Sequence, residues 1–211
     1  MRSGREKAWK WAALLLAAGA AAAGGWAWAM QGELTTARYE VPLPVGLEGL
    51  DGVKIAQISD VHSADLEGPL RAALEEAAPD LIVMTGDLVN REDRDLSRAL
   101  SLARMAAETA PAFFAPGNHE VDNPCWPELR DGLEEAGVQV LEDRAVLWSL
   151  RGEGVNLMGL WDVTHDPLGW AHAQAALPER VRALRREGAL NVLLSHRPSL
   201  LEEYGAGGAD V

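Results

Sequence analysis

Four short stretches of the chain set metal-capable side chains directly behind apolar runs. Val53–Ile58 leads into Ser59-Asp60-Val61-His62, and Leu81–Met84 into Thr85-Gly86-Asp87-Leu88-Val89-Asn90. Ala112–Ala115 leads into Pro116-Gly117-Asn118-His119-Glu120, and Leu190–Leu194 into Ser195-His196. Carboxylate oxygen, imidazole nitrogen and amide oxygen suit borderline divalent metals such as Mn, Fe, Co, Ni or Zn. An Asp-x-His pair on an extended segment projects both side chains to one side, a natural two-pronged clamp for a cation. A carboxylate such as Asp87 has two oxygens and can bridge two ions. Two ions about 3.5–4 Å apart would orient a phosphate and generate a hydroxide nucleophile. No amino-acid nucleophile is then needed, and no Gly-x-Ser-x-Gly or P-loop pattern occurs. Alone, an Asp-x-His or a Gly-Asp is more often a turn or a cap. The ordered set, each member behind its own apolar run, is what points to a metal site.

The elements that must position these residues alternate. Apolar, β-branched runs at Val53–Ile58, Leu81–Met84, Ala112–Ala115, Val138–Leu141, Val146–Leu150, Val155–Leu160 and Leu190–Leu194 read as strands. Helical patterns at Pro69–Ala78, Asp95–Thr109, Trp126–Ala136 and Pro178–Glu187 separate several of them. Strand–helix alternation predicts an α/β fold whose helices cover a sheet, with the site at the C-terminal ends of the strands. Residues 145–161 depart from the alternation and read as a hairpin across Arg151–Gly154, so the sheet is mixed or there are two sheets. His165, in a Thr-His-Asp-Pro turn, and His172, in an Ala-rich helical stretch, read as structural or exposed, and Glu134-Glu135 as a solvated helix face.

Charge and composition narrow the function. The chain of 211 residues carries a net charge of −13, and its first ten residues hold four basic side chains against one acidic, which leaves −16 for the rest. So acidic a body repels phosphate backbones, and no nucleic-acid partner is expected. The single Cys125 excludes an internal disulfide and a cysteine-rich zinc site. Residues 11–30 (WAALLLAAGAAAAGGWAWAM) carry no charge over about one bilayer's length of helix, with Trp9 and Trp11 at one end and Trp26 and Trp28 at the other. Residues 1–10 thus read as a cytoplasmic basic head and 11–30 as a transmembrane anchor, or a signal peptide given the small-x-small site Ala27-Trp28-Ala29. Residues 31–52 read as a linker and first strand. The positive-inside rule puts the body outside the cytoplasm, on a single-pass anchor in the cell membrane.

The series Asp60-x-His62, Gly86-Asp87-x-x-Asn90, Gly117-Asn118-His119-Glu120 and His196 resembles the calcineurin-like metallophosphoesterase superfamily. The stretches IAQISDVHS, PDLIVMTGDLVNR and LLSHRP are similar to its membrane-associated bacterial branch, and the likeness runs from about residue 53 to the end. It implies a two-sheet sandwich flanked by helices, with two divalent ions (Mn, Fe, Zn or similar) as cofactors. On the matching positions, Asp60 and His62 would bind the first ion, Asp87 would bridge, and Asn118 and His196 would bind the second. His119 would be the catalytic residue, facing the phosphate to stabilise it or to protonate the leaving oxygen. Asn90 matches the pattern without an assigned role. In the family a further strand leads from this last histidine region into Gly-His-x-His. Ala209-Asp210-Val211 would open that strand, so 53–211 reads as a metallophosphoesterase domain incomplete at its C-terminus, its final sheet strands missing. The expected function is hydrolysis of a phosphoester or pyrophosphate, lipid-linked or envelope-associated, by a dimetal-activated hydroxide. The alternative is a membrane-anchored, non-catalytic domain of the same fold, a pseudoenzyme or fragment.

Residues 1–35 fused to a reporter should hold it in the membrane with its C-terminal side outside the cytoplasm. A reporter active only when cytoplasmic would overturn that orientation.

Overall fold

The short β-branched and leucine-rich runs become strands because each has an apolar face on both sides to bury. In the computed structural model, which describes residues 34–211, Leu81–Met84 is β2, and all four of its residues are buried. It pairs in parallel with β1 (Ile55–Ile58) on one side and β3 (Ala112–Phe114) on the other, and β3 pairs with the short β4 (Gln139–Val140). The register Ile58↔Met84↔Phe114 levels the C-terminal ends of the first three strands. Helices α1 (Glu67–Ala77) and α2 (Ser97–Thr109) make the first two crossovers, and α3 (Asn118–Asp122) with α4 (Trp126–Glu135) the third.

A second sheet holds β5 (Arg144–Leu150), β6 (Glu153–Gly159) and β7 (Leu190–Leu194). The β5–β6 hairpin is antiparallel, β6 and β7 are parallel, and α5 (Trp170–Leu184) connects them. The sequence left open one mixed sheet or two, and the described residues form two. Alternation explains their packing. Leu81, Val83, Phe113 and Ala115 of the first sheet meet Val155, Leu157, Leu190, Val192 and Leu194 of the second in one buried cluster. Ile82, Met84 and Phe114, one residue out of phase, are fully buried on the opposite face, towards the apolar stripes Leu70/Leu74, Leu102/Met105 and Leu129/Leu133 of α1, α2 and α4. On the outer face of the second sheet, Met158 and Leu160 pack with Ala173, Leu177 and Val181 of α5, and with Leu200 and Tyr204. Tyr204 belongs to α6 (Leu201–Gly207).

Two elements differ from the sequence reading. No strand precedes Ile55 among the described residues: the first strand expected within 31–52 is absent, and the turn Glu48–Leu50 instead buries Leu47 and Leu50 against the inter-sheet core. The helix expected at Pro178–Glu187 is α5, which starts eight residues earlier and carries Pro178 inside it. Proline there forfeits the bond to the Gln174 carbonyl, but Ala173, Leu177 and Val181, four residues apart, form one buried stripe straight through it. Gly205 and Gly207 lie in α6, where Gly207 packs so close to Val181 that a Cβ would collide, and Gly208 closes the helix with φ 95°. Ala209–Val211 then run beside β7, with the Leu193 amide donating to the Val211 carbonyl at 2.7 Å. The apolar segment 11–30 lies outside the described residues, and no described helix is long and apolar enough to cross a membrane.

Phe113 has no exposed surface and meets Trp148 edge to face across the sandwich, ring centroids 5.5 Å apart. Phe113→Ala should cost about 3–5 kcal/mol, whereas Glu75→Ala on the exposed side of α1 should stay within about 0.5 kcal/mol. Chemical denaturation of both variants measures the difference, and equal, small effects would mean that the sheets do not share one core.

Candidate metal centre

The loops after β1, β2, β3 and β7 converge, and Asp87 stands where they meet. It is 3% exposed. Its Oδ2 lies 3.2 Å from His196 Nε2, 3.7 Å from His62 Nε2 and 3.9 Å from His119 Nε2. His62 Nε2 is in turn 3.8 Å from Asp60 Oδ1. Donor atoms of His62, Asp87 and His119 lie within 4.8 Å of one another, as do those of Asp60, Asp87 and His196. Asp87 is common to both groups. Asn118 is buried at the first position of α3, next to His119. His165 and His172 stand apart from the cluster: His165 stacks on Trp161 at 4.4 Å, and His172 Nδ1 pairs with Asp166 at 2.9 Å.

The backbone that brings Asp60 and His62 together is not extended, contrary to the sequence expectation. Asp60, His62, Ser63 and Asp87 all have left-handed φ, between 49° and 57°. Such a conformation costs an L-residue about 1–2 kcal/mol, so it persists only where the surroundings over-determine it. Here the amides of Asp60, His62 and Ser63 donate to the carbonyls of Gly86, Asp87 and Leu88. The two loops lock together residue by residue, and this curl, not a two-residue period, aims both side chains at Asp87. Asn90, which the sequence left without a role, donates from Nδ2 to the His62 carbonyl at 3.0 Å and so ties down the same loop. Gly86 and Gly117 make the close crossing of the loops after β2 and β3. A Cβ on Gly86 would lie 2.3 Å from the Gly117 nitrogen, and one on Gly117 2.3 Å from Asp87 Oδ1.

Glu120 escaped the sequence reading as a functional residue. It has no exposed surface, and its carboxylate accepts the amides of Asp87 (2.7 Å), Leu88 (2.9 Å), Val89 (3.3 Å) and Gly117 (2.9 Å). Glu120 is the third residue of α3 behind Gly117, the spacing of a capping box, and that was the available signal. Burial pushes its carboxyl up, against the pull of those N–H donors. For Asp87 the balance falls the other way. Burial favours the neutral acid, but His196 and the His119 amide hold the group below the usual carboxylate range.

The donor set fits a divalent cation. His196 Nδ1 donates to the Thr85 carbonyl at 2.8 Å, which leaves Nε2 facing Asp87, the arrangement that orients a metal-ligating imidazole. His62 Nδ1 and His119 Nδ1 are buried without a hydrogen-bond partner. Burial alone would lower the His196 pKa, yet Asp87, the Thr85 carbonyl and Asp60 raise it to about 9 in the metal-free protein. Burial holds His119 below the ordinary imidazole value, which favours its neutral form.

Comparison with known proteins agrees with this geometry. The family model for calcineurin-like phosphoesterases matches residues 53–210. A Danio rerio protein described as a transmembrane protein with a metallophosphoesterase domain is 27% identical over 173 residues, covering 75% of this chain and 38% of that protein. An uncharacterized Bacillus subtilis protein is 25% identical over 157 residues, covering 74% of this chain and 57% of its own length. The chain thus spans about two fifths to three fifths of the curated relatives it matches. Among solved structures, the phosphopantetheinyl hydrolase of Mycobacterium tuberculosis superposes with a TM-score of 0.51 at 18% identity, over 74% of this chain and 75% of that one, and so shares the fold. With the motifs, the sandwich and the family model in agreement over the same residues, the chain belongs to the calcineurin-like phosphoesterase family.

Proposed function

We propose that this chain is a metal-dependent phosphoesterase that cleaves a phosphoester or pyrophosphate held on two divalent ions. The observation that carries the reading is Asp87: one buried carboxylate with the imidazoles of His196, His62 and His119 within 3.9 Å of its Oδ2. Asp60 and His62 would hold one ion, Asn118 and His196 the other, and Asp87 both. When bound, the ions supply Lewis-acid polarisation of the phosphoryl oxygens and lower the pKa of water. The protein's own groups do the rest. Glu120 and the Gly86 and Gly117 crossing hold Asp87 in place, and Thr85 fixes the tautomer of His196. His119 faces the phosphate; its neutral imidazole still offers one N–H to a phosphoryl oxygen or to the leaving oxygen.

The proposed substrate class rests on the proposed location. The apolar stretch 11–30 behind a basic head supports a membrane tether, and the Danio rerio relative carries the word transmembrane in its description. A phosphoesterase tethered on the outer face of a membrane would meet lipid-linked or envelope phosphoesters, and these are the proposed substrates.

Hydrolysis of a chromogenic phosphodiester with added Mn tests the activity. Asp87→Asn should lose metal and turnover together, because one carboxylate serves both ions. His119→Ala should keep most of the metal and lose turnover by about 10²–10⁴-fold. Equal metal loss in the two variants would make His119 a ligand and overturn the assigned roles.

Metal uptake should also depend on pH. With its pKa raised to about 9, His196 carries a proton at neutral pH that an incoming ion must displace. The apparent Mn affinity should therefore rise roughly tenfold per pH unit for that proton, and level off once pH passes the His196 pKa. Calorimetry in buffers of different ionisation enthalpy counts the proton released; affinity independent of pH would mean that His196 holds no proton for the ion to displace.

A further inference from the structure

His196 sits in a turn pinned at three successive residues to three different parts of the fold. Ser195 Oγ is 2.7 Å from the Tyr204 hydroxyl in α6, and His196 Nδ1 is 2.8 Å from the Thr85 carbonyl behind β2. The third pin has two bonds. Arg197 reaches Asp162, behind β6, with both arms of its fork: Nε to Oδ2 at 2.7 Å and Nη2 to Oδ1 at 3.2 Å. The Asp162 side chain is fully buried, and Thr164 fills its remaining capacity through the backbone N–H at 2.9 Å and Oγ1 at 2.7 Å. The Arg197 guanidinium also lies over the Trp170 ring, 5.4 Å from its centroid, at the start of α5.

A half-buried ion pair of this kind is a poor source of net stability, since desolvating both charges offsets most of their attraction. Its geometric effect is larger. The β6–β7 pairing ends where the Leu160 amide meets the Leu194 carbonyl, so beyond that point nothing in the sheet ladder holds the two loops together. A planar, two-bond fork two and three residues past the last ladder bond fixes both the separation and the rotation of the loop that carries His196. The carboxylate also cancels a guanidinium charge that would otherwise stand next to a cation site.

We propose that Asp162 and Arg197 are positioning residues for the ion held by His196, clamping the turn so that the imidazole is presented to Asp87. The inference rests on the two-ion reading of the site. Neither residue is one of the grouped donors, so the clamp acts through the turn that carries His196, and its loss should weaken one ion and spare the other.

The test is a Mn titration of the full chain, counting bound ions against free Mn, on the wild type, Arg197→Lys, Asp162→Asn and the double variant. Arg197→Lys keeps the charge, and thus the buried pairing, but loses the fork. It should lower the affinity for the second ion by about 10–100-fold, the usual effect of removing a group that orients a ligand. The first ion should keep its wild-type affinity, so that the count falls from two to one over an intermediate range of Mn. The double variant should be no worse than the more affected single one, because a single clamp is removed twice. Asp162→Asn strands a guanidinium and costs stability as well, so melting of the metal-free proteins accompanies each titration, and Arg197→Lys is the deciding variant. Equal weakening of both ions, additive losses in the double variant, or two wild-type affinities in Arg197→Lys would each overturn the clamp. A wild type that takes up no Mn would overturn the metal reading itself, an outcome distinct from two ions bound alike by wild type and variants.

Discussion

Glu120 has no exposed surface, and its two carboxylate oxygens accept backbone N–H groups from Asp87, Leu88, Val89 and Gly117. A buried carboxylate left unpaired would cost several kcal/mol, and four converging amides are what make it tolerable. The dependence runs in both directions. Those amides belong to the tight loop behind β2 and to the crossing strand end behind β3, and Glu120 is the acceptor they share. Asp87 can keep its left-handed φ of 54° because the residue on each side of the crossing is held by the same anion. With that loop set, its carbonyls receive the amides of Asp60, His62 and Ser63, and the left-handed curl behind β1 follows. The candidate metal centre is thus assembled from the interior outward, with one carboxyl group that faces no solvent beneath the carboxylate that faces the site.

The two sheets enter at this point. The first contributes Asp60, His62, Asp87, Asn118 and His119 from the ends of three parallel strands, all levelled by the register of β1, β2 and β3. The second contributes His196, and only inter-sheet packing of residues such as Phe113, Leu157 and Leu194 brings it within 3.2 Å of Asp87. A site divided in this way is sensitive to any rotation of one sheet against the other. The hydrogen bond from His196 to the Thr85 carbonyl spans the sheets directly, and the Asp162–Arg197 pair stiffens the far side of that joint.

An acidic protein handling an anionic substrate has an electrostatic difficulty, and on the proposed function the ions resolve it. A net charge of −13 repels phosphate at a distance. A compact group of carboxylates and imidazoles would turn the same acidity to use by gathering divalent cations, which would then present positive charge to the phosphoryl group. Neutral imidazoles are the suitable partners, since they add ligands without adding anionic charge. His119, held towards its neutral form by burial, fits that pattern.

Much of this was legible in the residues alone. Apolar runs of four to six residues followed by Asp, His or Asn announce strands with chemistry at their ends, and the seven strands fall within two residues of where those runs lie. Residue type narrowed the candidate ions, because oxygen and nitrogen donors without sulfur suit borderline divalent metals before any coordinate is known. What periodicity could not supply was the route by which distant loops meet. Asp60 and His62 converge through left-handed backbone that no spacing encodes. Glu120 looks like an ordinary helix-start residue until the loop from β2 is laid across it. The helix α5 runs through Pro178 because a tertiary stripe of buried side chains outweighs one forfeited hydrogen bond. Local sequence sets which face of an element is apolar and where it ends; the partners of a loop amide thirty residues away depend on strand register and on sheet-to-sheet packing, and those exist only in the folded chain.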